Sequence, residues 1–160
     1  MKARALRHLL NLWPPFLFTG IHVAAVSDDY RHARVELRLR AWNRNYVGSH
    51  FGGSLFAMTD PFWMLLTLHA LGRDYIVWDQ AGSIEFVKPG RGTVHACFDL
   101  QASVLDELRH ATATGGKVLR WFDTDVVDGN GELIANVRKQ LYVRRKSRPS
   151  PGTHPVASRA

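Results

Sequence analysis

Residues 54–71 read Ser-Leu-Phe-Ala-Met-Thr-Asp-Pro-Phe-Trp-Met-Leu-Leu-Thr-Leu-His-Ala-Leu, apolar nearly all round a helical wheel. A helix of that kind has to be covered on most of its sides. Gly72 follows it as a C-cap residue. No stretch of the chain reaches the roughly 18 uninterrupted apolar residues of a spanning helix, so the cover must come from the fold itself. A chain of 160 residues can supply it from one domain with a sizeable core.

The rest of the sequence offers mostly strands. Residues 20–27 have strand composition, and Asp28-Asp29 reads as a turn. Residues 33–41 alternate cleanly, with Val35, Leu37 and Leu39 on one face and Arg34, Glu36, Arg38 and Arg40 on the other. Residues 75–87 predict a strand, in one piece or in two around Gln80–Gly82, and Lys88-Pro-Gly-Arg-Gly predicts a turn. Residues 93–101 alternate again, and 103–112 read as a short helix. Residues 117–127 and 132–145 are alternating strands joined by Asp128-Gly-Asn-Gly, a hairpin signal. One apolar helix among antiparallel strands is an α+β order, and a sheet that must cover that helix has to curl around it.

At the start of the chain, residues 3–12 predict a short amphipathic helix that stops before Pro14, with Leu6, Leu9, Leu10 and Trp13 on one face. That face is expected to pack on the domain or on a partner subunit, with membrane contact the lesser alternative. Asn11 and Pro14-Pro15 interrupt the apolar run from Leu9 to Phe18, which argues against a signal peptide. The lone Cys97 excludes an intramolecular disulfide framework, and the expected location is cytoplasmic.

Lys and Arg number 21 against 14 Asp and Glu, a formal charge of +7. Five basic residues and no acid fall between Arg144 and Ala160, leaving 16 basic and 14 acidic residues in 1–143. The basic character therefore belongs mostly to a tail, which argues against nucleic acid as the partner. Residues 144–160 predict a basic disordered tail, and 1–143 a single domain with a short N-terminal helix.

Candidate chemistry concentrates in residues 43–61, where polar residues and glycines precede the apolar helix. Gly52 and Gly53 stand at the helix entrance, where first-turn amides lack helical partners and suit a developing oxyanion. Asp60 is a carboxylate in an apolar stretch and needs a partner or a function. The Asp60-Pro61 pair also fits a helix start, with Asp as N-cap and Pro at N1. No dinucleotide or phosphate-binding fingerprint is present. Neither Ser54 nor Ser83 has a Ser-His-Asp signature, and His95 with Cys97 lacks further ligands at metal-binding spacing. No metal and no cofactor are expected.

This segment resembles the motif of hotdog-fold acyl-CoA thioesterases of the PaaI type. That motif is Asn, two residues, Gly, two residues, His-Gly-Gly, and a carboxylate seven residues later; Asn45, Gly48, Gly52, Gly53 and Asp60 fall at those spacings. Phe51 stands where the family has His, and His50 is one place early. Phe-Gly-Gly with Asp-Pro is closer to a less characterised, thioesterase-like branch, which the chain also resembles in Trp13-Pro-Pro and in Ile84-Glu-Phe-Val-Lys-Pro-Gly-Arg-Gly. The resemblance spans about residues 5–143. It implies a hotdog fold, a curled antiparallel β-sheet wrapped around one long central helix, and a homodimer or dimer of dimers with sites at the subunit interface. By position, Asp60 would be the general base or nucleophile, and the Gly52 amide, helped by Gly53, would polarise the thioester carbonyl. Asn45 would orient substrate or water, and His50, Phe51 and Ser54 would line the substrate site. The implied partner is an acyl-CoA or acyl-carrier-protein thioester, which serves as substrate. The alternatives are a non-catalytic acyl-CoA or acyl-chain binding dimer and an interaction protein using its basic tail.

Overall fold

The computed structural model describes residues 1–146. Its elements in chain order are α1 (Ala3–Leu12), α2 (Pro14–Thr19), β1 (Ile21–Val26), β2 (His32–Arg38), α3 (Gly52–Ala57), α4 (Phe62–Leu71), β3 (Tyr75–Phe86), β4 (Thr93–Asp99), α5 (Ala102–Ala111), β5 (Lys117–Asp128) and β6 (Leu133–Arg145). The six strands form one open antiparallel sheet in the order β1-β2-β4-β5-β6-β3. Its inner face, built from residues such as Val35, Leu37, Val94, Ala96, Val126, Val137 and Leu141, packs with Met58, Phe62, Trp63 and Leu66 into one core. The indole N–H of Trp63 donates to Thr124 Oγ1 on the sheet at 2.7 Å, so the one polar atom of the ring is satisfied inside that core.

The expected single helix over 54–71 is two helices. Pro61 has no amide, and its ring would crowd the carbonyl of Ala57 four residues back. That carbonyl instead accepts the Asp60 amide at 3.2 Å, in a tighter turn that separates α3 from α4. Asp60 does not cap α4: Pro61 holds the N-cap position, and no side chain caps the helix. Gly72 does close α4, at φ +90°, with its amide on the Leu68 carbonyl.

Three further differences arise from local chemistry. The Pro14-Pro15 pair stops α1 and starts α2, since proline is well placed in the first turn. In α1 the buried residues are Ala3, Leu6 and Leu10, whereas Leu9, Leu12 and Trp13 are exposed. Strand β6 continues past Val143, with Arg144 paired to Lys117 and Arg145 to Tyr75, so two of the tail's five basic residues lie in the sheet. The remainder of the expected tail, 147–160, lies outside the described residues.

The two sheet edges are treated unequally. Edge strand β1 is covered by α1: Asn11 both donates to the Val23 carbonyl (3.1 Å) and accepts from its amide (2.7 Å), and Arg7 donates to the Ala24 carbonyl (3.1 Å). Those contacts occupy backbone groups at a register shift between Val23 and Ala25. Edge strand β3 runs for 12 residues and, among the described residues, pairs only with β6. Covering one edge while leaving a long one open marks the open edge as the place where another strand can add.

Candidate functional site

The glycine motif forms a tight loop ahead of α3. Asn45 Oδ1 accepts the amides of Val47 (3.1 Å) and Ser49 (3.0 Å), and its Nδ2 donates to Ser49 Oγ and to the His50 carbonyl. Gly48 takes φ +78° at the turn. The Asn45 side chain is thus engaged within its own loop, and its role here is to shape the segment that presents Gly52. His50 is buried, 4% exposed, and its Nε2 donates to the Gly92 carbonyl at 2.9 Å. Nδ1 is then the bare nitrogen, and it has no partner. Burial lowers the pKa of this imidazole and keeps it neutral.

Phe51 precedes α3 and is exposed, its ring lying over Gly53, where an added Cβ would meet Phe51 Cε1 at 2.4 Å. Gly52 is equally constrained: a Cβ there would meet Phe86 Cζ at 2.7 Å. The carbonyl of Phe51 accepts the amides of Ser54 and Leu55, while among the described residues no acceptor engages those of Gly52 and Gly53. A cleft of about 400 Å³ borders Asn45, His50, Gly52, Leu55, Phe86 and Lys88. A second, of about 270 Å³, lies across the motif and is bordered by Phe18, Trp42, Phe51 and the buried Ser54.

Asp60 borders neither cleft. Asp60 is eight positions after Gly52, about 12 Å of rise along a helical path, which places it well apart from the Gly52 amide within a single chain. Asp60 stands at the α3–α4 joint with its carboxylate half-exposed and paired to Lys139 Nζ. Lys139 is 4% exposed, and its ammonium also lies 4.7 Å from the Phe56 ring centroid and 3.9 Å from Asp79 Oδ1. Burial pushes Asp79 up to about 6, opposed by Lys139 and reinforced by Asp60.

Sequence reasoning did not single out Lys139 or Asp79. Lys139 occupies the inward position between Val137 and Leu141, and a charge in an otherwise apolar face was the available signal. Asp79 is the last residue on the inward alternation of Tyr75 and Val77, and the register shift between Asp79 and Ala81 breaks the pattern just after it, so the strand does not read as one alternating face. Glu85 is exposed, as is Cys97. Among the described residues no group of three or more potential ligands could hold a metal, and no helix is long and apolar enough to cross a membrane.

Comparison with solved structures identifies the architecture. PA5026 of Pseudomonas aeruginosa, a protein of unknown function and probable thioesterase, superimposes with a TM-score of 0.81 at 20% identity, covering 91% of this chain and 97% of that one. The thioesterase HI1161 of Haemophilus influenzae follows at 0.68 and 14% identity, covering 93% and 94%. The PaaI protein of the E. coli phenylacetic acid degradation operon gives 0.62 and 19%, covering 91% of each chain. The fold is the hotdog fold these proteins share. Among curated proteins, none matches this chain. A family profile does match, over residues 2–143, and the chain belongs to that family, the domain of unknown function DUF4442.

Proposed function

We propose that the protein is an acyl thioesterase acting on a coenzyme A or acyl-carrier-protein thioester, working as a homodimer joined along β3. The observation that carries this reading is Asp60, a half-exposed carboxylate at a break in a buried helix, held by a buried lysine. The inward residues of β3 run beside α3 from Phe86, against Gly52, to Gly82, against Phe56 and Lys139, and on to Asp79, near Lys139. Two β3 edges pairing antiparallel about Gly82 or Ser83 would bring the Phe86 end of one protomer opposite the Asp79 end of the other. Gly52 of one chain would then approach Asp60 of its partner, resolving the 12 Å gap.

In that composite site the Gly52 amide, helped by Gly53, donates to the thioester carbonyl oxygen as it becomes an oxyanion. Asp60 takes a proton from water while the water oxygen attacks the carbonyl carbon. Collapse of the intermediate breaks the C–S bond, and the proton passes to sulfur, so thioester and water become carboxylic acid and thiol. The Asn45-organised loop fixes Gly52. His50, Phe51 and Ser54 shape the two clefts beside it.

One observation favours a second reading. Phe51 places an apolar ring where the PaaI-type motif has His, which suits a dimer that binds acyl-CoA without hydrolysing it. A hydrolysis screen over acyl-CoA chain lengths, run with Asp60→Ala as control, separates the two. Turnover that Asp60→Ala abolishes supports the enzyme; binding without turnover in the wild type supports the carrier. Equal turnover by both proteins removes Asp60 from the chemistry.

A further inference from the structure

A lysine on the buried face of a central strand is an unusual choice, because an unpaired ammonium there is strongly disfavoured. Lys139 projects inward with Val137, Leu141 and Val143, and Phe122 on β5 is its register partner on one side. Gly82 on β3 is its register partner on the other. A Cβ at Gly82 would lie 2.9 Å from Lys139 Cδ and 2.9 Å from Phe56 Cζ. The lysine stem therefore runs through a channel made by a missing side chain and roofed by an aromatic ring. At its end the ammonium meets Asp60 and, at 3.9 Å, Asp79.

Among the described residues, Asp60 and Asp79 are the only charged groups that pair with the ammonium. The joint between α3 and α4 supplies Asp60, β3 supplies Asp79, and α4 carries no charged side chain before His69, which stacks on Tyr30. Arg138 and Asp123 pair on the opposite, exposed face of the sheet. Two carboxylates thus share one cation. The more buried of them, Asp79, has an oxygen with no hydrogen-bond partner, so it pulls on Lys139 without capturing it.

We infer that Lys139 is a positioning residue that fixes the carboxylate of Asp60, and that Asp79 sets the strength of that hold by competing for the same ammonium. The inference rests on the thioesterase reading only for its kinetic consequence. A carboxylate held wholly by an ammonium is a poor base. Ionising Asp79 draws charge away from that pair and frees Asp60 to accept a proton. Turnover accordingly rises through Asp79's titration, near pH 6.

The test uses the full chain with Lys139→Met, Lys139→Arg, Asp79→Asn and Asp60→Asn. Lys139→Met lowers kcat by about a hundredfold with KM within about twofold, and Lys139→Arg restores most of the loss. Asp79→Asn removes the step near pH 6 from the kcat profile. Independently of turnover, the Asp79 carboxyl followed by carbon-13 NMR titrates higher in Lys139→Met and lower in Asp60→Asn. Wild-type kcat and pH profile in Lys139→Met, or an Asp79 titration that neither variant moves, would overturn the inference. If Lys139→Met does not fold, Lys139→Arg and Asp79→Asn decide it by the same readouts. A wild type without turnover, or an Asp60→Ala variant with full turnover, refutes the thioesterase reading alone, because the Asp79 titration still decides the shared cation.

Discussion

Gly82 and Lys139 face each other across the β3–β6 ladder, and the side chain that Gly82 lacks is the space through which Lys139 reaches Asp60. Substituting Gly82 by Ala places a methyl 2.9 Å from both Lys139 Cδ and Phe56 Cζ. The lysine stem can yield, but the ring has to move with it. Gly82→Ala should cost about 1–3 kcal/mol, read by chemical denaturation, and should lower thioester turnover more than substrate binding. A variant as stable and as active as the wild type would mean that the channel is not needed.

Asp79 makes stability depend on pH. Its carboxyl is raised from 3.8 to about 6 by burial, so the folded protein holds a proton that the unfolded chain has already released. Stability is therefore fully present below about pH 4 and declines as pH rises to about 6. At about 1.4 kcal/mol per pH unit the loss reaches at most about 3 kcal/mol. Asp79→Asn keeps the shape without the charge. It should raise thermal stability at pH 7.5 and leave it unchanged at pH 4, and an equal effect at both pH values would contradict this.

Much of the frame was legible because it depends on local pattern. The apolar run of 54–71 called for a covering sheet, and Asp128-Gly-Asn-Gly is the turn that joins β5 to β6, with Asp128 Oδ1 accepting the amides of Asn130 and Glu132. What escaped depends on partners distant in sequence. Asp60 and Lys139 are 79 residues apart, so nothing near Asp60 announces its counter-ion. Asp79 shares the inward phase of Tyr75 and Val77, but the bulge that follows it shifts that phase to Gly82 and Ile84, which composition does not reveal. The helix break was half legible: Pro61 announces a disruption, but whether the chain kinks or ends one helix and begins another depends on how the freed Ala57 carbonyl is satisfied.

The Trp63–Thr124 hydrogen bond ties α4 to the sheet within the core. Thr124→Val preserves the volume and leaves the indole N–H buried without an acceptor. The expected cost is about 1–3 kcal/mol, with little change in kcat, since neither residue borders the clefts. Thr124→Ser retains the hydroxyl and should recover most of the loss. Denaturant titration of both variants checks the pair.

His50 is a structural residue in this geometry, and its variants separate that role from a catalytic one. Its Nε2–H satisfies the Gly92 carbonyl while the ring fills the space beside Gly90. His50→Ala should destabilise the protein by about 2–4 kcal/mol through the cavity and the lost donor. His50→Gln, which keeps a donor, should be milder. Because burial lowers this imidazole's pKa, the unfolded chain takes up its proton first as pH falls through about 6.5, and stability is lost in that direction. In His50→Gln that contribution is absent. A large fall in kcat for His50→Gln at wild-type stability would place the ring in the reaction instead.

Phe51 offers the most direct test of what the site lacks. It lies immediately before α3 with its side chain exposed and its ring over Gly53, so substitution there leaves the core untouched. Phe51→His sets an imidazole at the position where the PaaI-type motif carries one, beside the free Gly52 and Gly53 amides. If thioester hydrolysis is the activity, an added polar contact on the developing oxyanion or its water should raise kcat by about tenfold. Thermal stability should shift by less than about 0.5 kcal/mol. The gain should vanish in the double variant with Asp60→Ala, because a better electrophilic site still needs the base. A rise in kcat that survives removal of Asp60 would show that the histidine had created a new reaction path, while no rise at all would favour the acyl-binding dimer, whose apolar Phe51 serves to hold a chain in place.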